Sequence, residues 1–142
     1  FARLMDEGFA ARLHVIGEGR LRKSYMDQYK ARPQITFYGR IEFPMKSLAT
    51  FDLLVVPSLS DSFPNTIMEA LYLGVPVIGS MRGGIPEILG YDDLLFEPSE
   101  DALYGKLVDV LNKDGLEKTR ELCLRRREAL EFDWVDSMQQ IL

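Results

Sequence analysis

Pro57-Ser58-Leu59-Ser60-Asp61-Ser62-Phe63-Pro64-Asn65-Thr66-Ile67-Met68-Glu69-Ala70-Leu71 joins an apolar strand to an apolar helix and carries two acids eight positions apart. Asn65 has the short amide of a helix N-cap, able to accept from a first-turn backbone N–H. The helix expected after it, Thr66 to Leu73, is apolar nearly all round, and Glu69 is its one formal charge. An ionised acid there is costly unless something meets it. Helical side chains lean toward the N-terminus, so Glu69, one turn in, can reach toward the mouth of its own helix. Free N–H groups and the positive end of the helix dipole at that mouth suit a phosphate. Acids on both sides of an anion site are hydroxyl acceptors, which is what a nucleotide sugar requires.

The segments around this stretch define the fold. Upstream, Asp52 to Val56 is an uninterrupted apolar run, suited to a parallel strand covered on both faces. Downstream, Gly74 reads as a helix C-cap and Pro76-Val77-Ile78 as the next strand. Earlier in the chain, Phe1 to Glu7 reads as the end of a helix stopped at Gly8. Arg12 to Ile16 reads as a strand, Arg20 to Arg32 as a helix ended by Pro33, and Gln34 to Tyr38 as a second strand. Met45 to Thr50 reads as a short helix. Later, Gly83-Gly84-Ile85-Pro86-Glu87 opens a helix, since proline and an acid both suit a first turn. Leu94 to Phe96 reads as a last short strand. A helix from Ser99 or Glu100 carries Leu103, Leu107, Val110 and Leu111 on one face, another spans Leu116 to Leu130, and a final one is expected from Val135 to Leu142. Phe132-Asp133-Trp134 would introduce that last helix, with Trp134 as a packing anchor. Strands and helices alternate about five times, which predicts an α/β fold: a three-layer, Rossmann-like, doubly wound domain with a mostly parallel sheet. In such folds ligands lie at the carboxyl ends of the strands. Gly17-Glu18-Gly19, Gly39-Arg40, Pro57 to Asn65 and Ser80 to Gly84 all follow strands and are expected to gather on one edge.

Composition excludes several function classes. With 27% charged and 46% apolar residues the chain is an ordinary globular one, and 142 residues suffice for one domain with a real core. A formal net charge of −5 argues against a nucleic-acid backbone as partner. The single cysteine, Cys123, forms no internal disulfide and reads as a plain helical thiol. The single histidine, His14, lies inside a strand, which favours a sheet-face side chain over a catalytic base. No His or Cys cluster has metal-ligand spacing. No apolar run is long enough to span a bilayer and no signal peptide is evident, so a reducing, internal compartment is expected. The start at Phe1, without an initiator Met, suggests a fragment of a longer protein. Glycines around Glu18 allow close approach to the backbone, but a tight strand–helix turn fits equally. Arg22 stands where a dinucleotide fingerprint would have its third glycine. The glycine pair at 83 and 84 is likewise open between a close approach to the backbone and a simple turn. The run Arg125-Arg126-Arg127, with Glu121, Glu128 and Glu131 nearby, reads as a solvated, charge-mixed face.

Taken together, these residues resemble the carboxy-terminal domain of a family 4 retaining glycosyltransferase, one half of the glycosyltransferase B fold. The most specific part is Pro57-Ser58 followed by Asp61 to Leu71, which resembles the family's two acids separated by seven residues. Gly17-Glu18-Gly19, Tyr38-Gly39-Arg40, Gly74-Val-Pro-Val-Ile and Gly83-Gly-Ile-Pro-Glu87 support it in order, over nearly the whole chain. The resemblance implies a single nucleotide-sugar-binding domain over 1–142. Glu69 would bind the ribose hydroxyls and Asp61 the donor sugar, as the catalytic pair. Ser62 belongs to the same donor loop, and backbone N–H groups around Pro64, Asn65 and Thr66 would receive the diphosphate. Phe63 would shape the sugar pocket, Gly39, Arg40 and Ile41 would border the base, and Gly17, Glu18 and Gly19 would line the cleft. The donor would be a nucleotide diphosphate sugar, with no further cofactor and no metal. The implied partner is the amino-terminal acceptor domain of the same protein, in a cytoplasmic location compatible with peripheral attachment of the full-length protein to the inner membrane face.

The chain departs from the family at three points. Asp61 stands where the family usually has Glu. The preceding strand, with the Arg and Lys that neutralise the diphosphate, has no counterpart here, and that strand would lie mid-sheet. The acceptor domain is absent, so the 142 residues alone are expected not to catalyse transfer. Two alternatives stay open: half of a nucleotide-sugar epimerase, or a non-catalytic flavodoxin-like signalling module using Asp52 or Asp61. In a third, Glu69 is no more than a satisfied buried acid.

Overall fold

The computed structural model describes residues 1–41 and 47–141, with side chains described through Leu130. The chain forms two compact units, Phe1–Pro44 and Met45–Leu142.

The first unit contains α1 (Ala2–Asp6), β1 (Leu13–Ile16), α2 (Arg22–Tyr29) and β2 (Ile35–Gly39). β1 and β2 pair in parallel, Leu13 opposite Ile35, with a slip in register between Val15 and Ile16. Arg32 Nη1 donates to Asp6 Oδ1 at 2.8 Å, tying the turn after α2 to α1. The side chain of His14 stacks on Tyr38 with ring centroids 5.6 Å apart, and its Nδ1 lies 3.0 Å from the Tyr38 hydroxyl. This is the sheet-face role expected of it.

The second unit contains β3 (Leu54–Val56), α3 (Asn65–Leu73), β4 (Val77–Ser80), α4 (Ile85–Leu89), β5 (Leu95–Phe96), α5 (Glu100–Leu111) and α6 (Gly115–Ile141). Its strands form a parallel sheet in the order β3-β4-β5, with Leu54 opposite Val77 and Gly79 opposite Leu95. The strands therefore make two parallel ladders, one in each unit. Every residue of β4 is buried, which accounts for its unalternating sequence. The core of this unit joins Ile67, Ala70 and Leu71 of α3 to Val77, Ile85, Ile88, Leu89 and Leu94.

Glycine closes α3 and α4 as chemistry requires. Gly74 and Gly90 both take left-handed φ, 71° and 70°, where an L side chain is strained. Ser99 caps α5, its Oγ accepting the Ala102 N–H at 3.2 Å. Pro86 falls in the first turn of α4.

Several expected boundaries need correction. Pro64, not Asn65, is the N-cap of α3, and no side chain caps this helix. Proline there has the extended backbone (φ −70°, ψ 109°) that an N-cap position needs, so Asn65 becomes the first helical residue. The separate final helix does not exist: α6 runs without a break from Gly115 to Ile141. No glycine or proline lies between 116 and 141 to interrupt it. The side chain of Trp134 and residue Leu142 lie outside the described residues, as do the first two residues of the helix expected over 45–50. Ser47 and Leu48 of that helix are helical.

The arginine run is not a uniform solvated face. Arg125 pairs with Glu121 at 2.6 Å on the surface. Arg126, by contrast, donates from Nε to the Ile88 carbonyl and from Nη2 to the Glu87 carbonyl, both at 2.7 Å. Arg120 reaches the Gly74 carbonyl at 3.2 Å. α6 thus supplies cations to carbonyls at the ends of α3 and α4, where a helix lacks intrahelical partners and carries its negative pole.

Candidate functional site

In the second unit the loop after β3 and the helix α3 place Asp61, Ser62, Phe63, Pro64, Asn65, Thr66 and Glu69 on one continuous loop–helix element. The loop has no regular secondary structure, yet it is tightly held. Asp61 Oδ1 accepts the Phe63 N–H at 3.1 Å, a local turn that fixes the carboxylate over its own loop. The Asp61 carbonyl accepts the Gly84 N–H at 3.0 Å. The Phe63 side chain is exposed. At the start of α3 the first backbone N–H groups have no intrahelical partner. No side chain caps this mouth, unlike that of α5, and the Ile67 N–H turns back to the Pro64 carbonyl at 3.0 Å.

Glu69 lies in the second turn, between buried Ile67 and Ala70. Its Oε2 is shielded from solvent and has no hydrogen-bond partner among the described residues. A shielded carboxylate oxygen is costly to keep unless a donor meets it.

In the first unit, the carboxyl ends of β1 and β2 bring Gly17, Glu18, Gly19, Gly39 and Arg40 together, with Ile41 next in the chain. The Gly17 N–H donates to the Gly39 carbonyl at 2.7 Å, and the Arg40 N–H donates to Glu18 Oε1 at 3.2 Å. A Cβ added at Gly17 or Gly19 would meet nothing within 4 Å, so the space over this turn is open. At Gly39 the same Cβ would meet the Glu18 carboxylate at 2.5 Å.

The glycine pair at 83 and 84 makes a close backbone approach, and its partner lies within the chain. A Cβ at Gly83 would collide with the Asp61 carbonyl, and one at Gly84 with the Ser62 carbonyl. The backbone these glycines admit is that of the Asp61 loop. Sequence reasoning placed Ser80 in a strand-end segment but gave its hydroxyl no role; it is fully buried at the end of β4 and donates from Oγ to the Ser58 carbonyl. A hydroxyl ending a strand of otherwise buried apolar residues was the available signal. Asp52 precedes β3, at the opposite end of that strand from the Asp61 loop, so it does not stand where a phosphorylatable acid of a signalling module would. Among the described residues no three His, Cys, Asp or Glu side chains come together as a metal site. No helix among them is long and apolar enough to cross a membrane.

The family model described as "Glycosyl transferases group 1" matches residues 1–113, and the chain belongs to that family. It corresponds to the carboxy-terminal portion of the glycosyltransferase B fold.

Among curated proteins it is 28% identical over 141 residues to the sulfoquinovosyl transferase SQD2 of Arabidopsis thaliana, covering 92% of this chain and 27% of that protein. It is 31% identical over 96 residues to the N-acetyl-alpha-D-glucosaminyl L-malate synthase of Bacillus anthracis, covering 66% of this chain and 25% of that protein. The chain thus spans about a quarter of the length of these relatives. Among solved structures, the sucrose-phosphate synthase of Thermosynechococcus elongatus superposes with a TM-score of 0.70 at 21% identity, covering 98% of this chain and 40% of that one. The lipopolysaccharide outer core galactosyltransferase WaaB superposes at 0.67 and 21% identity, covering 99% of this chain and 45% of that one.

Proposed function

We propose that this chain holds the nucleotide-sugar donor of a retaining glycosyltransferase that transfers a hexose from a nucleotide diphosphate to an acceptor hydroxyl. The observation that carries the reading is Glu69, the one charge of an apolar helix, half-buried one turn inside a helix mouth that no side chain caps. A diol, such as the 2′ and 3′ hydroxyls of a ribose, would bring hydroxyl donors to the Glu69 carboxylate. The diphosphate is assigned to the N–H groups around Pro64, Asn65 and Thr66, and the sugar hydroxyls to Asp61 and the Ser62–Phe63 loop. In the same reading Gly39, Arg40 and Ile41 border the base, and Gly17, Glu18 and Gly19 line the cleft.

Chemically, these groups bind and orient. The leaving diphosphate gains charge as the glycosidic bond breaks, and helix-mouth N–H groups stabilise that charge without reorganising. The Arg and Lys with which the family completes this stabilisation have no counterpart in the 142 residues, so the isolated chain is expected to bind donor without turnover. The experiment is calorimetric titration with UDP, GDP and ADP, beside a transfer assay on the same preparation. Binding without turnover is the expected result. Turnover by the isolated chain would contradict the part assigned to the missing cations.

A further inference from the structure

We propose that the Ser80–Gly84 segment is a positioning element for Asp61, setting the sugar-facing half of the donor site independently of the ribose-facing half. The inference rests on the donor-site reading above. It follows from how differently the two acids are held. Glu69 rides on α3, anchored in the core by Ile67, Ala70 and Leu71. Asp61 sits on a loop without secondary structure, so its place depends on outside contacts.

The segment from β4 to α4 supplies those contacts at two points. The buried Ser80 hydroxyl holds the Ser58 carbonyl, where the chain leaves β3. The Gly84 N–H holds the Asp61 carbonyl itself. Between them, Gly83 takes φ +58° and, with Gly84, leaves only backbone-to-backbone clearance under Asp61 and Ser62. The segment is itself fixed, because Met81 N–H donates to the Phe96 carbonyl at 2.8 Å and Arg82 pairs with Glu97 at 3.3 Å. A methyl at position 84 must displace the Ser62 carbonyl, and the Asp61 carboxylate with it, since Asp61 Oδ1 is bonded two residues along at Phe63. Misplacement by about 1 Å can cost on the order of a hundredfold where geometry decides binding of a reacting group.

The test compares wild type, Ser80→Ala and Gly84→Ala for binding of UDP, GDP and ADP and of UDP-glucose, GDP-mannose and ADP-glucose, with the thermal midpoint recorded for each. The quantity read is the ratio of sugar-nucleotide to bare-nucleotide affinity. We expect that ratio to fall at least tenfold in both variants while bare-nucleotide affinity stays within threefold of wild type. A merely structural role would lower both affinities together or neither, and either result overturns the inference. A wild type that binds bare nucleotides but no sugar nucleotide also overturns it, leaving the role of Glu69 standing. A wild type that binds no nucleotide at all overturns the donor-site reading and this inference with it.

Discussion

The guanidinium of Arg126 closes the end of α4: its Nε donates to the Ile88 carbonyl at 2.7 Å and its Nη2 to the Glu87 carbonyl at the same distance. Two parallel donors in fixed geometry are something Arg offers and Lys does not. Arg126→Met keeps much of the aliphatic stem and should lower stability by roughly 1.5–3 kcal/mol, the range for hydrogen bonds from a charged group. Arg126→Lys should recover less than half of that loss. Urea denaturation of the three proteins gives the comparison.

Arg125, the adjacent residue, should behave differently. Its pair with Glu121 is exposed on both sides, at 62% and 61%. Arg125→Ala should therefore change stability by no more than about 0.5 kcal/mol, as is usual for surface helix pairs. The same urea experiment reads this, and a loss as large as that at 126 would refute the distinction.

Gly74 and Gly90 both occupy the left-handed region, so alanine at either costs backbone strain of about 1–2 kcal/mol. Their surroundings separate them. A Cβ at 74 would lie 3.7 Å from Leu124, an ordinary contact, whereas one at 90 would lie 2.9 Å from Arg126 Nε. Gly90→Ala should be the more destabilising, and in an Arg126→Met background the gap between the two substitutions should narrow. Thermal midpoints of the four combinations test this coupling.

Cys123 is shielded in α6 and accepts the Val77 N–H at 3.4 Å. Burial pushes its thiol above the ordinary 9.0, opposed only in part by the Val77 backbone and by Arg120. The folded state therefore holds the proton more tightly than the unfolded chain. The resulting contribution to stability is present below pH 9 and is lost as pH rises through the folded value. Native protein should react with a thiol reagent at pH 8 at least a hundredfold more slowly than protein in denaturant. Cys123→Ala should remove this contribution to the alkaline loss of stability.

The alternation of apolar runs with helix-forming segments was enough to read the α/β class, because buried parallel strands such as β4 need apolar residues on both faces. Gly74 marked a helix end because its backbone freedom permits the left-handed turn there. What sequence could not show was tertiary. Asn65 looks like a cap because of its amide, but Pro64 takes that position through its backbone. The glycine pair signals a close approach without saying to what, and the partner is a loop some twenty residues away in sequence. Phe132-Asp133-Trp134 suggested a new start, although nothing between 116 and 141 could stop α6. The two acids of this loop and helix were legible as a pair; that one oxygen of Glu69 lacks a donor among the described residues required coordinates.

That oxygen gives the most direct test of the account. Nucleoside diphosphate binding should be measured for wild type and Glu69→Ala, each with the ribose form and with the 2′,3′-dideoxy form. The account predicts that Glu69→Ala weakens the ribose nucleotide at least tenfold, that the dideoxy nucleotide binds wild type as weakly, and that combining the two changes costs little more than either alone. Unchanged affinity in a folded Glu69→Ala protein, or full additivity of the two losses, would contradict it.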